Sequence, residues 1–282
     1  MRHGRIDIQT ILTIAGFDPS SGAGITADLA VIAAHGFFGT SAITALTVQS
    51  TLGVRSMHVV AAPILDATLR CLAEDLPPAG VKVGMLGSRE NVQVVVSFLQ
   101  QLKTAGRTVP VVLDPVIQSS SGRELLSRGG LDLLRDELLP LVDWVTPNGL
   151  ELAALTNMPV TTALEVETAS KSLVDRFPGL NVVETGGDGD QANDLAILLD
   201  GTQKWFSGQK IDSRATHGTG CAFSTALTCR LIAAIEPLEA VGLAKHFVSE
   251  AILRAEVIGN GNGPMDLLWP LRHGRRGQER RG

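Results

Sequence analysis

Residues 215–227, ATHGTGCAFSTAL, gather several chemically useful groups into a few positions. Gly218 and Gly220 flank Thr219, Cys221 follows, and small residues lead into an apolar run with helical spacing. Successive backbone N–H groups at such a helix start converge on an anion, and the helix dipole reinforces the attraction. A thiol in that positive field has a lowered pKa and a raised reactivity, so Cys221 is expected to be available as a thiolate. The competing reading is that a free cysteine is a small buried hydrophobe. Cys71 and Cys229 fit that reading, since each lies inside an apolar helical pattern, whereas the glycine-rich approach sets Cys221 apart.

Two further loops carry polar groups. GFDPSSGAG, residues 16–24, combines Pro19 with three glycines in a turn that enters a helix, where backbone N–H groups can approach a ligand. It is not GxGxxG, and GxxxxGK[ST] occurs nowhere, so any use of ATP proceeds without a P-loop. TPNGLE, residues 146–151, places Asn148 and Glu151 three apart, on one face of a beginning helix. That pair can order water around Mg²⁺. It can equally be a helix cap with its reciprocal carboxylate. Asp114, after the apolar VVL, is a strand-end carboxylate suited to a metal or phosphate partner.

The elements that must position these loops alternate along the chain. Strand-like runs occupy 11–16, 42–48, 80–86, 109–116, 142–147 and 181–187. Helical spacing fills 24–36, 63–76, 89–106 and 130–142 between them. Several strands are continuously apolar, as required when helices cover both faces of a sheet. The reading is an α/β fold with a mostly parallel central sheet, and ligands then bind beyond the strands' carboxyl ends. A hairpin over 194–209, turning at Asp200-Gly201, and two helices near 219–235 and 238–257 complete the chain. No linker or repeat divides it, so residues 1–271 are expected to form one domain and 272–282 an Arg-rich, disordered tail.

Composition narrows the function. The net charge is −5, and residues 272–282 carry five Arg and one Glu, so residues 1–271 carry −9. So acidic a body argues against nucleic acid as the main ligand. Three cysteines without CxxC spacing argue against a disulfide framework or a zinc site. No apolar run spans a bilayer, and the first one ends too soon for a secretory signal, so a cytoplasmic location is expected.

The motifs TIAGFDPSSGAGITADL, SAITALTVQST, VKVGMLGS, VVLDPV, SGRELL, VTPNGLE, THGTGCAFSTAL and IGNGNGP follow one another over nearly the whole chain. In that order they resemble the hydroxymethylpyrimidine/phosphomethylpyrimidine kinases of thiamin biosynthesis, within the ribokinase-like superfamily. The resemblance implies ATP- and Mg²⁺-dependent phosphorylation of 4-amino-5-hydroxymethyl-2-methylpyrimidine and then of its monophosphate, with a homodimer as the family expectation. It implies that Gly218, Thr219 and Gly220 form the anion hole, with Cys221 beside the reacting hydroxymethyl oxygen. Gln49 would read the aminopyrimidine edge, with Gly16, Asp18, Ala23, Met85 and Val116 lining the pocket. Asp114, Asn148, Glu151, Thr185 and Gly187 would lie around the nucleotide, with Asp114 and Glu151 near Mg²⁺ through water.

The chain also departs from that pattern. Thr185 stands where a lysine that touches nucleotide phosphates is expected, and Ser120 where a flap lysine is often found. Ser21 replaces the second glycine of PSGGAG, and Arg123 is a candidate to compensate for the missing cations. Two other readings remain: a pyridoxal or pyridoxine kinase of the same fold, and a non-catalytic pyrimidine-binding protein.

Overall fold

A computed structural model of the chain describes residues 8–119, 122–186 and 191–272. The first half runs β1 (Thr10–Phe17), α1 (Gly24–Ala34), β2 (Phe38–Ser50), β3 (Gly53–Val59), α2 (Ala62–Asp75), β4 (Gly80–Val83), α3 (Arg89–Thr104) and β5 (Val111–Leu113). It continues with α4 (Arg128–Leu133), β6 (Trp144–Val145), α5 (Gly149–Thr156), α6 (Ala163–Arg176), β7 (Asn181–Gly186), β8 (Asn193–Ile197), β9 (Gln203–Phe206), α7 (Thr219–Ile232) and α8 (Pro237–Leu253). Among the described residues the strands form one sheet in the order β3-β2-β1-β4-β5-β6-β7-β8-β9. The six strands from β2 to β7 are parallel, while β3 at one edge and β8 and β9 at the other pair antiparallel.

Two apolar layers follow from the pleat of the strands. Leu12, Ile14, Val81, Val83, Val111, Leu113 and Val182 pack against α2, α3, α5 and α6. On the opposite face, Val112, Trp144, Val183 and Ala196 pack against α1, α7 and α8. Strands covered on both sides need apolar residues at successive positions, which is why β5 and β6 read as unbroken apolar runs. From β1 the chain crosses to β2 on one side, and β4 then lies on the other. The strand order therefore reverses beside β1, and the carboxyl ends of β1 and β4 open the crevice where such sheets bind ligands.

Strands 4 to 6 are shorter than their apolar runs suggested, because residues 84–86, 114–116 and 146–147 leave the sheet and become loops over that crevice. The run 130–142 is not one helix. After α4 it passes into a π-helical turn at 134–138 and a 3-10 turn at 139–141, where Pro140 has no N–H to continue an α-helix. The edge strand β3 and the helix α6 were not legible from periodicity. The hairpin is present as β8 and β9, with Gly201 at φ 85°. At the far end, Arg272 Nη1 donates to Asp266 Oδ2 at 3.2 Å, and residues 273–282 lie outside the described residues. No described helix is long and apolar enough to cross a membrane.

The loop after β1 contains a backbone cost. Ser21 sits at φ 59°, the left-handed region that glycine enters freely. An L-residue there gives up about 1 kcal/mol, which the extra chain entropy of glycine partly offsets. Ser21→Gly is therefore expected to raise the thermal midpoint slightly, as read by calorimetry. A lowered midpoint would show that the Ser21 side chain contributes more than its backbone costs.

Candidate active site

Two glycine-dependent loops meet at the crevice. A Cβ at Gly218, φ 81°, would run into the Gly22 carbonyl oxygen, so the backbone before α7 lies directly on the backbone at 22–23. A Cβ at Gly24, φ 59°, would meet the Gly16 carbonyl in the same way. Only glycine permits such approaches. As a result the amino ends of α1 and α7 converge on one spot. No side chain caps α7, so the first-turn N–H groups of Thr219 and Gly220 remain available to an anion.

Cys221 lies in the first turn of α7, and its thiol is built into a charged cluster that sequence reading missed. The thiol lies against the Asp114 carboxylate and the Gly24 amide. Lys82 of β4 is fully buried. Its Nζ donates to Asp28 at 3.0 and 3.2 Å and lies 3.8 Å from Asp114 Oδ2. Asp28, on α1, also accepts from Thr13 at 2.5 Å and from Thr225 at 2.8 Å. Ser224 Oγ donates to Asp114 Oδ2 at 3.4 Å. The cluster thus ties β1, β4, α1 and α7 together behind the sulfur.

Its electrostatics correct one sequence expectation. Burial pushes the Cys221 thiol above its ordinary pKa, and the Asp114 and Asp28 carboxylates add to the rise, against the opposing pull of Lys82. A helix start alone would lower it. Here enclosure of the sulfur and two neighbouring carboxylates outweigh that field, so in the ligand-free protein Cys221 holds its proton. Burial also raises Asp114, with Lys82 opposing. For Lys82, burial works against the ammonium, but the carboxylates of Asp28 and then Asp114 overcome it and hold the charge. Cys229 is buried as expected, whereas Cys71 is exposed on α2 rather than packed away.

The residues expected to line the ring pocket come together. A Cβ at Gly16 would collide with Met85 Cε, so this glycine gives Met85 its place. Met85, Ala45 and Leu125 pack with Met57 and Val116 into a small apolar cluster at the crevice. Asp18 accepts from Ser20 N at 2.8 Å, Ser20 Oγ at 2.7 Å, Ala23 N at 2.9 Å and His217 Nε2 at 2.8 Å. Burial opposes its charge, yet the bonds from His217 and Ser20 hold the carboxyl below the usual range. It shapes the loop ahead of Ala23. Gln49 reaches His217, their side-chain nitrogens 3.3 Å apart. His217 had no signal beyond its place in THGTGC.

On the other side, Asn148 and Glu151 form the capping box: each accepts the other's backbone N–H at 2.9 Å. Thr185 lies next to Asn148, its amide on the Pro147 carbonyl at 2.9 Å. It brings no cation. The Arg123 guanidinium donates to the Arg55 carbonyl at 2.6 Å. A lysine does reach this edge of the sheet: Lys245 Nζ is 2.8 Å from Asp194 Oδ2, and Asp194 Oδ1 accepts the Gly186 amide at 3.1 Å. Ser120 and Gly187 lie outside the described residues. No group of three or more His, Cys, Asp or Glu side chains among the described residues is arranged to hold a metal ion. Asp114 and Glu151, each already engaged, suit a hydrated Mg²⁺ that keeps most of its waters.

The chain matches the phosphomethylpyrimidine kinase family over residues 18–266. It is 39% identical to a hydroxymethylpyrimidine/phosphomethylpyrimidine kinase of Haemophilus influenzae, over 92% of this chain and 96% of the relative. Its fold superposes on a phosphomethylpyrimidine kinase of Clostridium difficile with a TM-score of 0.74 and 33% identity, covering 86% of this chain and 99% of that one. An ADP complex of a Bacillus subtilis pyridoxal kinase gives a TM-score of 0.83 at 27% identity, covering 94% and 99%.

The buried cluster makes a thermodynamic prediction. Lys82→Met strands two carboxylates, and Asp28→Leu leaves the ammonium with only the more distant Asp114, and each is expected to cost about 3–5 kcal/mol of unfolding free energy. The double variant, apolar on both sides, should be less destabilised than the two single effects combined. Urea unfolding measures all three. Single-variant losses under about 1 kcal/mol, the range of an exposed pair, would refute the buried pairing.

Proposed function

The chain belongs to the phosphomethylpyrimidine kinase family, and we propose that this site transfers the γ-phosphoryl group of ATP to 4-amino-5-hydroxymethyl-2-methylpyrimidine and then to its monophosphate. The observation that carries the site assignment is the convergence of two glycine-built helix starts on a thiol set against a buried carboxylate. Phosphoryl transfer asks a protein mainly for positioning and charge stabilisation. The Met85, Val116 and Leu125 surface takes the ring, and Gln49 sits at its polar edge. The hydroxymethyl group then lies beside Cys221, at the mouth of α7.

The uncapped amides of Thr219 and Gly220 stabilise the charge on the phosphoryl group in flight. The hydroxyl proton passes to the Cys221 sulfur as the thiol proton passes to Asp114. Its raised pKa makes Asp114 a better proton acceptor than an ordinary aspartate. Lys82 stays charged behind the pair and holds both groups in place. Mg²⁺, when bound, neutralises phosphate charge, and Asp114 and Glu151 are the carboxylates that would hold its waters. Asn148 and Thr185 flank the nucleotide phosphates in this arrangement, with Gly187 next along the chain.

The pyridoxal kinase reading draws support from the higher TM-score of that neighbour, but its identity is lower than that of the phosphomethylpyrimidine kinase. An ADP-release assay over pyrimidine, pyridoxal and sugar alcohols separates the readings. The aminopyrimidine alcohol is expected to be used well ahead of pyridoxal. Cys221→Ala should cut kcat on the order of 10²–10⁴-fold, the usual range for a general base, with an unchanged melting transition. Equal or better use of pyridoxal would overturn the substrate, and near-normal turnover by Cys221→Ala would remove the thiol from the chemistry.

A further inference from the structure

His217 Nε2 stands between two side chains, 2.8 Å from Asp18 Oδ2 and 3.3 Å from the Gln49 side-chain nitrogen. A carboxylate only accepts, so the hydrogen between His217 and Asp18 must sit on Nε2. A nitrogen that carries that hydrogen cannot accept one from an amide NH₂. The oxygen and nitrogen of a carboxamide are told apart only by their partners. The partners here require Oε1 of Gln49 to face His217, which then donates one N–H to both neighbours. The Gln49 NH₂ is left pointing away from His217.

Independent features hold this arrangement. The His217 ring packs against the backbone of Gly22, where a Cβ would strike Cδ2. Its own backbone is pinned by His217 N to the Gly263 carbonyl at 3.2 Å and by a bridge to Pro264. Gln49 follows a bulge: Val48 pairs with Ser56, but Gln49 pairs with Val54, leaving Arg55 unpaired. Such bulges re-aim side chains next to sites. Asp18 is locked by three further bonds from its own loop.

We propose that His217, oriented by Asp18, is a positioning and specificity residue that fixes the Gln49 carboxamide with its NH₂ towards the ligand, so that the pocket requires a ring-nitrogen acceptor. This rests on the pocket reading given under the proposed function. It narrows that reading, because a freely rotating amide would offer donor and acceptor alike.

The test starts with the unmodified enzyme and two substrate analogues. One has CH in place of the ring nitrogen beside the amino-bearing carbon, and the other has hydrogen in place of the amino group. Loss of the ring nitrogen is expected to cost at least tenfold more in kcat/KM than loss of the amino group, since a site built for a hydrogen bond rejects analogues lacking the partner. His217→Phe keeps the ring volume without the N–H. It should raise KM for the parent alcohol about tenfold, the value of one hydrogen bond to a charged or fixed partner, and shrink the difference between analogues. His217→Gln restores a donor and should restore the difference. Equal losses for the two analogues, or a greater loss without the amino group, would overturn the proposal. So would full discrimination in His217→Phe. Absence of any turnover of the parent alcohol by the unmodified enzyme would instead sink the functional reading.

Discussion

The interaction on which the site depends is the buried contact of Lys82 with Asp28, 3.0 Å, and with Asp114, 3.8 Å. Taking three charges out of water is costly, and the cost is tolerated only where hydrogen bonds and opposite charge compensate it. Thr13, Thr225 and Ser224 supply those hydrogen bonds, and they come from β1 and α7. The sheet and the two helices whose starts meet at the crevice are therefore held in register by polar contacts as well as by packing. A shift of either helix would leave a buried charge unpaired. That makes the arrangement stiff where phosphoryl transfer needs fixed geometry.

The same contact governs the thiol. Lys82 is one positive charge facing two carboxylates, so the cluster retains negative character next to the sulfur. Cys221 answers by keeping its proton. The glycine loops then complete the site from backbone alone, since Gly22, Gly24 and Gly218 let two helix starts approach more closely than any side chain allows. On the far side Asp18 holds His217 as Lys82 holds Asp114, and in the proposed arrangement each pair orients a group towards the ligand.

Much of this was legible in the sequence. The alternation of apolar runs with helical spacing gives the sheet, its parallel core and the closing hairpin, because burial on both faces leaves a continuous apolar mark. The loops at 16–24, 114–116, 146–151 and 218–221 announce themselves through glycines and strand-end polar residues. The edge strand β3 escaped notice because its residues are mostly half-exposed and mixed in character. Lys82 and Asp28 escaped because each is a single charge in an otherwise apolar element, in GVKV and GITADLAVIAA. A charge in a strand buried on both faces must have a partner, and that argument could have found Lys82. The lowered thiol pKa was a local inference from a helix start. It failed because burial and neighbouring carboxylates arrive from elements far away in sequence.

The claim that burial and the neighbouring carboxylates hold Cys221 as a thiol is tested most directly by its alkylation rate against pH. Iodoacetamide is applied to the Cys71→Ser protein between about pH 6 and pH 10, a window spanning the ordinary thiol pKa near 8.5. Mass spectrometry follows the peptide that carries Cys221. The rate is expected to climb across the whole window without levelling, as for a thiol whose pKa lies above it. A plateau reached by neutral pH would mean a standing thiolate, and would contradict the account.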